Sequence, residues 1–226
     1  MVSLCHNTNM KVIHISIREL LSAQAALFVA IGLQAITWHN NGSMAYGPHP
    51  LIMLSELALA VLLGISALNP ILFVRSVYRT MSFILLGVIS VENITSMAVV
   101  IRMLISNSTA ITGFALLGSA VAIFLTNIIV FALWYWEIDS PGLTGKKWSR
   151  HDKDFQFTQY DLAKEFPGWR PTFADYLYIS VTNAVNFAPA DTRPLTRQSK
   201  MLMGIQALVS ATTLALVIAR SVSILG

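Results

Sequence analysis

Charge is scarce in this chain. Asp, Glu, Lys and Arg make up 12% of its 226 residues, against roughly 25% in a soluble domain. Hydrophobic residues make up 55%. This balance excludes an ordinary water-soluble domain and points to a membrane protein. Cysteine is scarcer still. Cys5 stands alone, so neither an internal disulfide nor a cysteine metal cluster can form. The five histidines (His6, His14, His39, His49 and His151) are scattered without ligand spacing. No metal and no cofactor are expected. Basic runs with interleaved aromatics are missing too, which argues against nucleic acid as a partner. His151-Asp152-Lys153-Asp154 is the one cluster with catalytic residue types. It sits in a polar loop with no nucleophile elbow or metal spacing, so an enzyme is not expected.

The charges that exist are unevenly placed. Of the 26, 16 lie between Asp139 and Lys200. The rest of the chain is long apolar runs. A membrane helix needs about 20 mostly apolar residues, and five stretches qualify: residues 20–38, 51–74, 80–104, 111–136 and 199–224. Asn69-Pro70 kinks or ends the second. Trp134-Tyr135-Trp136 closes the fourth with an interfacial aromatic belt. The first run begins near residue 20 and is long enough to stay as a span rather than a cleaved signal. Residues 1–19 read as a lead-in or short interfacial helix. Residues 138–171 form a polar loop with Pro141-Gly142 and Pro167-Gly168, and a short helix is expected near residues 158–166.

Connectors alternate sides of the membrane. Lys11, Arg18, Arg75, Arg79 and the nine Lys and Arg residues from Lys146 to Lys200 fall on one side, and Arg102 and Arg220 on the other. The positive-inside rule places the first side in the cytoplasm. The long loop obeys that rule weakly, but Arg75 and Arg79 lie in a short loop. Arginines do not recur at every third position, which excludes a voltage-sensing helix.

Residues 172–224 carry the clearest pattern. Thr172 and Asp175 form a capping box after Trp169-Arg170-Pro171. The helix they open runs to about Val185, roughly 20 Å at 1.5 Å per residue. That falls short of a hydrocarbon core about 30 Å thick, so the segment must return to the side it came from. Irregular backbone at membrane depth is tolerated only inside protein or against water. The turn after it, Asn186-Phe187-Ala188-Pro189-Ala190-Asp191, should therefore line a cavity or an interface.

In these residues the chain resembles the tetrameric potassium-type cation channels. Their pattern is an aromatic pore helix, Thr-Val-Gly-Tyr-Gly-Asp, two residues, Pro, and an inner helix. Without gaps that filter falls on Asn186–Asp191, and Asp191 and Pro194 match. The whole chain also resembles a family of bacterial integral membrane proteins with the same degenerate turn, which implies the bacterial inner (plasma) membrane. The resemblance implies an all-α membrane protein, with five transmembrane helices and a re-entrant pore-loop-like half helix between the fourth and fifth. It divides the chain into an N-terminal three-helix bundle, residues 1–104, and a pore-like module, residues 105–226. The module holds an outer helix 111–136, the polar loop 138–171, a half helix and turn 172–196, and an inner helix 199–224. Thr182 and Asn183 become the polar residues of the pore helix and Gly204 the inner-helix hinge. Implied partners are the lipid bilayer, further copies of the chain in a homotetramer, and monovalent cations. The channel analogy puts residues 138–171 outside, against the charge count.

A potassium filter aims successive carbonyls at the axis through glycines at positive φ. Here Ala188 and Ala190 replace both glycines, and Pro189 fixes its own φ and pushes Ala188 toward an extended conformation. Potassium selectivity does not carry over. A vestibule lined by Asn183, Asn186 and Asp191 would pass cations without selectivity or with weak preference; a closed structural plug is the other reading.

Four further polar residues lie inside the apolar runs: Glu56, Glu92, Asn93 and Asn127. Ionisable groups there are costly and face a bundle interior or water. They suit a proton or ion relay, or hydrogen-bonded clamps between helices. The alternatives to a channel are thus a small proton-coupled carrier using Glu56 and Glu92, and a non-conducting membrane scaffold whose loop docks a partner.

Overall fold

The computed structural model describes residues 17–41, 49–68, 75–105, 113–139, 153–187 and 191–225. Helices dominate: α1 (Ile17–Asn41), α2 (His49–Leu68), α3 (Arg75–Ile105), α4 (Gly113–Asp139), the short α5 (Thr158–Asp161), α6 (Phe173–Asn186) and α7 (Arg197–Leu225). Four of them contain stretches long and apolar enough to cross a membrane: Arg18–His39, Thr80–Met103, Phe114–Asp139 and Arg197–Ala219. They fit an integral membrane protein. In α2 the qualifying stretch is shorter, Pro50–Ile65. Residues 69–74, the remainder of the expected second span with its Asn69-Pro70, lie outside the described residues.

The core is organised around α4, which packs against α1, α3, α6 and α7. Its Ile123, Val130, Phe131, Leu133, Tyr135 and Trp136 are buried, and so are Ala23, Leu27, Ala30 and Ile31 of α1. Ala30, Ala60 and Ala132 are fully buried; small side chains of this kind let helix backbones approach closely in lipid. One cavity is lined by Leu20 and Gln24 of α1, Leu63 of α2, Ser82 and Leu85 of α3, and Trp136 and Glu137 of α4. The start of α1, the end of α2, the start of α3 and the end of α4 therefore share one side.

The structure also contains a small sheet that the all-α expectation lacks. Strand β1 (Phe155–Phe157) pairs antiparallel with β2 (Thr192–Pro194), in the register Phe155↔Pro194, Gln156↔Arg193, Phe157↔Thr192. Leu195 N–H donates to the Asp154 carbonyl at 2.8 Å and continues the ladder. Three-residue strands leave no alternation long enough to read in sequence. The helix expected near residues 158–166 is the single turn α5, followed by further turns.

Asp139, the last residue of α4, holds this sheet to the bundle. Its carboxylate accepts from the backbone N–H of Asp154 at 2.6 Å, from that of Phe155 at 3.1 Å and from the Tyr176 hydroxyl at 2.6 Å. Burial, and then the Asp139 carboxylate, push the Tyr176 phenol well above its ordinary range, so the proton stays on Tyr176. Asp154 receives the Thr196 hydroxyl, and its carbonyl accepts from Ser199 Oγ at 3.1 Å. The end of α4 and the start of α7 are tied at one level. Aromatic rings fill the space around this neck: Phe155 meets Tyr135 edge-on at 5.2 Å, and Phe157 meets Tyr176 at 5.5 Å and Trp169 at 5.4 Å. Tyr176→Phe leaves the buried carboxylate short of one donor. We expect it to cost about 1–3 kcal/mol, seen as a lower thermal unfolding midpoint in detergent. An unchanged midpoint would mean the neck adds no stability.

Candidate functional site

Helix α6 opens as its sequence dictates. Asp175 Oδ2 accepts from the Thr172 N–H at 2.7 Å and from the Thr172 hydroxyl at 2.8 Å, closing the expected capping box. Its 14 residues give a length of roughly 20 Å. The helix starts at the neck, with Phe173 edge-on to Trp136 at 6.2 Å. After residues 188–190 the chain is back at the neck in β2, where Thr158 Oγ1 donates to the Asp191 carbonyl at 2.6 Å. The segment thus leaves and rejoins the same end of the bundle.

A polar network fixes α6 between α4 and α7. Gln206 of α7 is its centre, with no exposed surface. Its Nε2 donates to Ser180 O at 3.0 Å and Ser180 Oγ at 2.6 Å. Its Oε1 accepts from Tyr135 OH at 2.5 Å and from Asn183 Nδ2 at 2.8 Å. Asn183 Nδ2 also reaches Met203 O at 3.0 Å, and Ser180 Oγ donates to Ile128 O at 2.6 Å. One helical turn further along α7, Ser210 Oγ accepts from Asn127 Nδ2 at 2.8 Å. Met203 lies six residues past Arg197, so the end of α6 sits roughly 9 Å inside the start of α7.

The expected site residues divide into two groups. Thr182 and Asn183 are buried. Thr182 Oγ1 donates to the carbonyls of Tyr178 and Ile179 in its own helix, and Asn183 is consumed by the network. Neither lines an open vestibule within the protomer; both hold α6 in place. Asn186, Phe187 and Asp191 are exposed. Phe187 ends the helix in the left-handed region, φ 56°, a conformation that favours Gly or Asn at a helix end. Ala188, Pro189 and Ala190 lie outside the described residues. Gly204 lies on an exposed face of α7, which runs through it unbroken, and a side chain there would meet open space. Met201, Ile205 and Leu208 share that face, and Tyr178, Val181 and Val185 form the exposed face of α6.

The intramembrane residues are spread over two other places. Asn93 and Asn127 line a cavity of about 200 Å³ between α3, α4 and α7, with Ser90, Trp134, Leu202 and Ile205 on its walls. Glu56 of α2 and Glu92 of α3 are buried as well, on helices that pack against each other and against α1. Sequence reasoning missed Gln206, Tyr135, Ser180, Ser210 and Asp139. Gln206 was open to discovery: a glutamine within an apolar helix is the same signal that singled out Asn127. Serine and tyrosine are common in spans and give no comparable signal. Among the described residues, no group of three or more His, Cys, Asp or Glu side chains is placed to hold a metal ion.

A scan against protein-family models and searches of curated proteins and of solved structures find no match to this chain. Gln206→Leu strips partners from Tyr135, Asn183 and Ser180 at once. We expect a loss of at least about 2 kcal/mol. A double-mutant cycle with Asn183→Ala should show strong coupling; additive losses would mean that the two amides act independently.

Proposed function

We propose that this chain is one subunit of an oligomeric, channel-like membrane protein, in which α6 is a re-entrant half helix and α7 faces a shared axis. One observation carries the reading. Helix α6 leaves and rejoins the same neck, its last residues Asn186 and Phe187 are exposed, and α7, bonded to α6 through Met203 and Gln206, keeps an exposed face at Met201, Gly204, Ile205 and Leu208. The last four carbonyls of a helix have no intrahelical partner. Lipid cannot satisfy them, so at membrane depth they need water or another protein surface. Copies arranged about an axis supply both.

In this reading α2 also crosses the membrane, which gives five spans, and the assembly is a homotetramer. The exposed Asp191 at the mouth gives a weak cation preference, and Ala188-Pro189-Ala190 leaves no stack of carbonyl rings to select potassium. The start of α3, with Arg75 and Arg79, lies on the same side as the neck, and the positive-inside rule assigns that side to the cytoplasm.

The assembly is tested by native mass spectrometry of the protein released from lipid, where a tetramer is expected and a monomer sinks the proposal. Conduction is tested in planar bilayers. Asp191→Asn is expected to lower the cation-over-anion permeability ratio, roughly several-fold. A wild-type protein that passes no current, or an unchanged ratio in the variant, counts against a charged mouth.

A further inference from the structure

Glu56 is the most unusual side chain in the bundle. It lies on α2, packed against α1 and α3, and its exposed surface is 0%. Both of its carboxyl oxygens are buried without a hydrogen-bond partner among the described residues. Three hydroxyls on α2 and the facing α3 are committed to their own helices: Ser55 Oγ donates to Ile52 O, Ser90 Oγ to Leu86 O and Thr95 Oγ1 to Glu92 O. The basic residues of α1 and α3 sit toward the helix ends, Arg18 and His39 on α1 and Arg75, Arg79 and Arg102 on α3, with Glu19 beside Arg18 and His49 at the start of α2 itself. The ionisable group whose charge reaches Glu56 is Glu92, another acid.

An ionised carboxylate accepts hydrogen bonds at both oxygens and donates none. Among the described residues it would have neither a donor nor a cation, and a second carboxyl nearby. A neutral acid needs only one acceptor for its proton. The adjoining helix offers one: Gln34 Oε1 is buried without a partner, while the amide's Nε2 is fixed on Ile89 O at 3.2 Å. Ile89 is one turn from Glu92 on α3. Helices α1 and α2 run antiparallel, with Gln24 Nε2 bonded to Ala60 O at 2.8 Å. Helical side chains lean toward their own N-terminus. From Ala60, Glu56 is therefore one turn deeper and leans further toward the level of Gln34, and Gln34 leans back toward it. Among the described residues the seam holds an acid with no donor and an acceptor with no donor. The particle that completes both is a proton.

We propose that the seam between α1, α2 and α3 is an intramembrane proton-binding site in which Glu56 carries the proton, Gln34 is the neighbouring acceptor and Glu92 is the second carboxyl. This goes beyond the pore reading and is independent of it, because the residues it names lie on α1, α2 and α3. The ligand is a proton delivered by water. A sodium ion would require several oxygens converging on one point, and the proposal needs only one donor and one acceptor.

The test uses the full-length protein in lipid vesicles at neutral pH. Infrared spectra of the wild type and of Glu56→Gln are compared. The wild type should show a protonated-acid carbonyl band that the variant lacks; bands of carboxylates alone would overturn the site. Gln is close in shape to a protonated Glu, so the variant should keep its helical content. If Glu56→Gln fails to fold, site-specific labelling of the wild type decides. Dicyclohexylcarbodiimide, an apolar reagent that attacks protonated carboxyls, should leave an adduct that mass spectrometry maps to Glu56. No adduct there overturns the proposal. Protection of Glu56 by sodium at constant pH also overturns it, in favour of a metal cation.

Discussion

A buried amide between three helices sets the form of this protein. Inside lipid, a polar group finds its partner in the protein or goes without. Gln206 resolves that constraint for α4, α6 and α7 together, since its two amide ends serve Ser180, Tyr135 and Asn183. The bonds lie where water is excluded, and there a broken partner costs more than a new contact gains. Directionality follows. Apolar packing alone would let α6 slide along α4, because Leu, Ile and Val make no choice of level. The amide permits one depth and one rotation.

The second constraint acts at the neck. A segment that dips and returns needs its two ends held together, or it unravels along the surface. Asp139 does this from α4 by gathering two N–H groups and a phenol. Strands β1 and β2 do it from the loop. The aromatic side chains around them are residues suited to the membrane interface, with large apolar bodies and, in Tyr and Trp, a polar edge. Tyr160 belongs to this set. Burial, followed by the Asp139 charge, raises its phenol above the usual range, and the buried Lys153 ammonium lies over its ring.

Much of the fold was legible from the residues. Long apolar runs marked the helices because lipid demands them, and Thr172 with Asp175 marked the start of α6 because a capping box is a local motif. The sheet was not legible, since its pairing joins residues 35 to 39 positions apart and each strand is three residues long. The site was legible in part. Asn183 and Asn127 stood out as amides in apolar surroundings, but their partners across the bundle depend on helix rotation, which a run that is apolar all round does not encode. For the same reason Glu56 and Glu92 could be named as intramembrane acids, while the orphaned state of Glu56 emerges only from the way α1 and α3 close over it.

The position of Gln206 also orders the assembly of the protein in time. It lies 26 residues beyond Ser180 and 23 beyond Asn183, so a chain growing on the ribosome completes α6 before the amide that secures it exists. Until α7 is added, Ser180 retains only Ile128 as a partner and the strand that closes the neck has not yet been joined to a finished helix. The half helix therefore gains its bonds to the amide only once α7 is in place. The bonds from Gln24 to Ala60 and from Gln34 to Ile89 join the first three helices to one another, and they can form while synthesis continues.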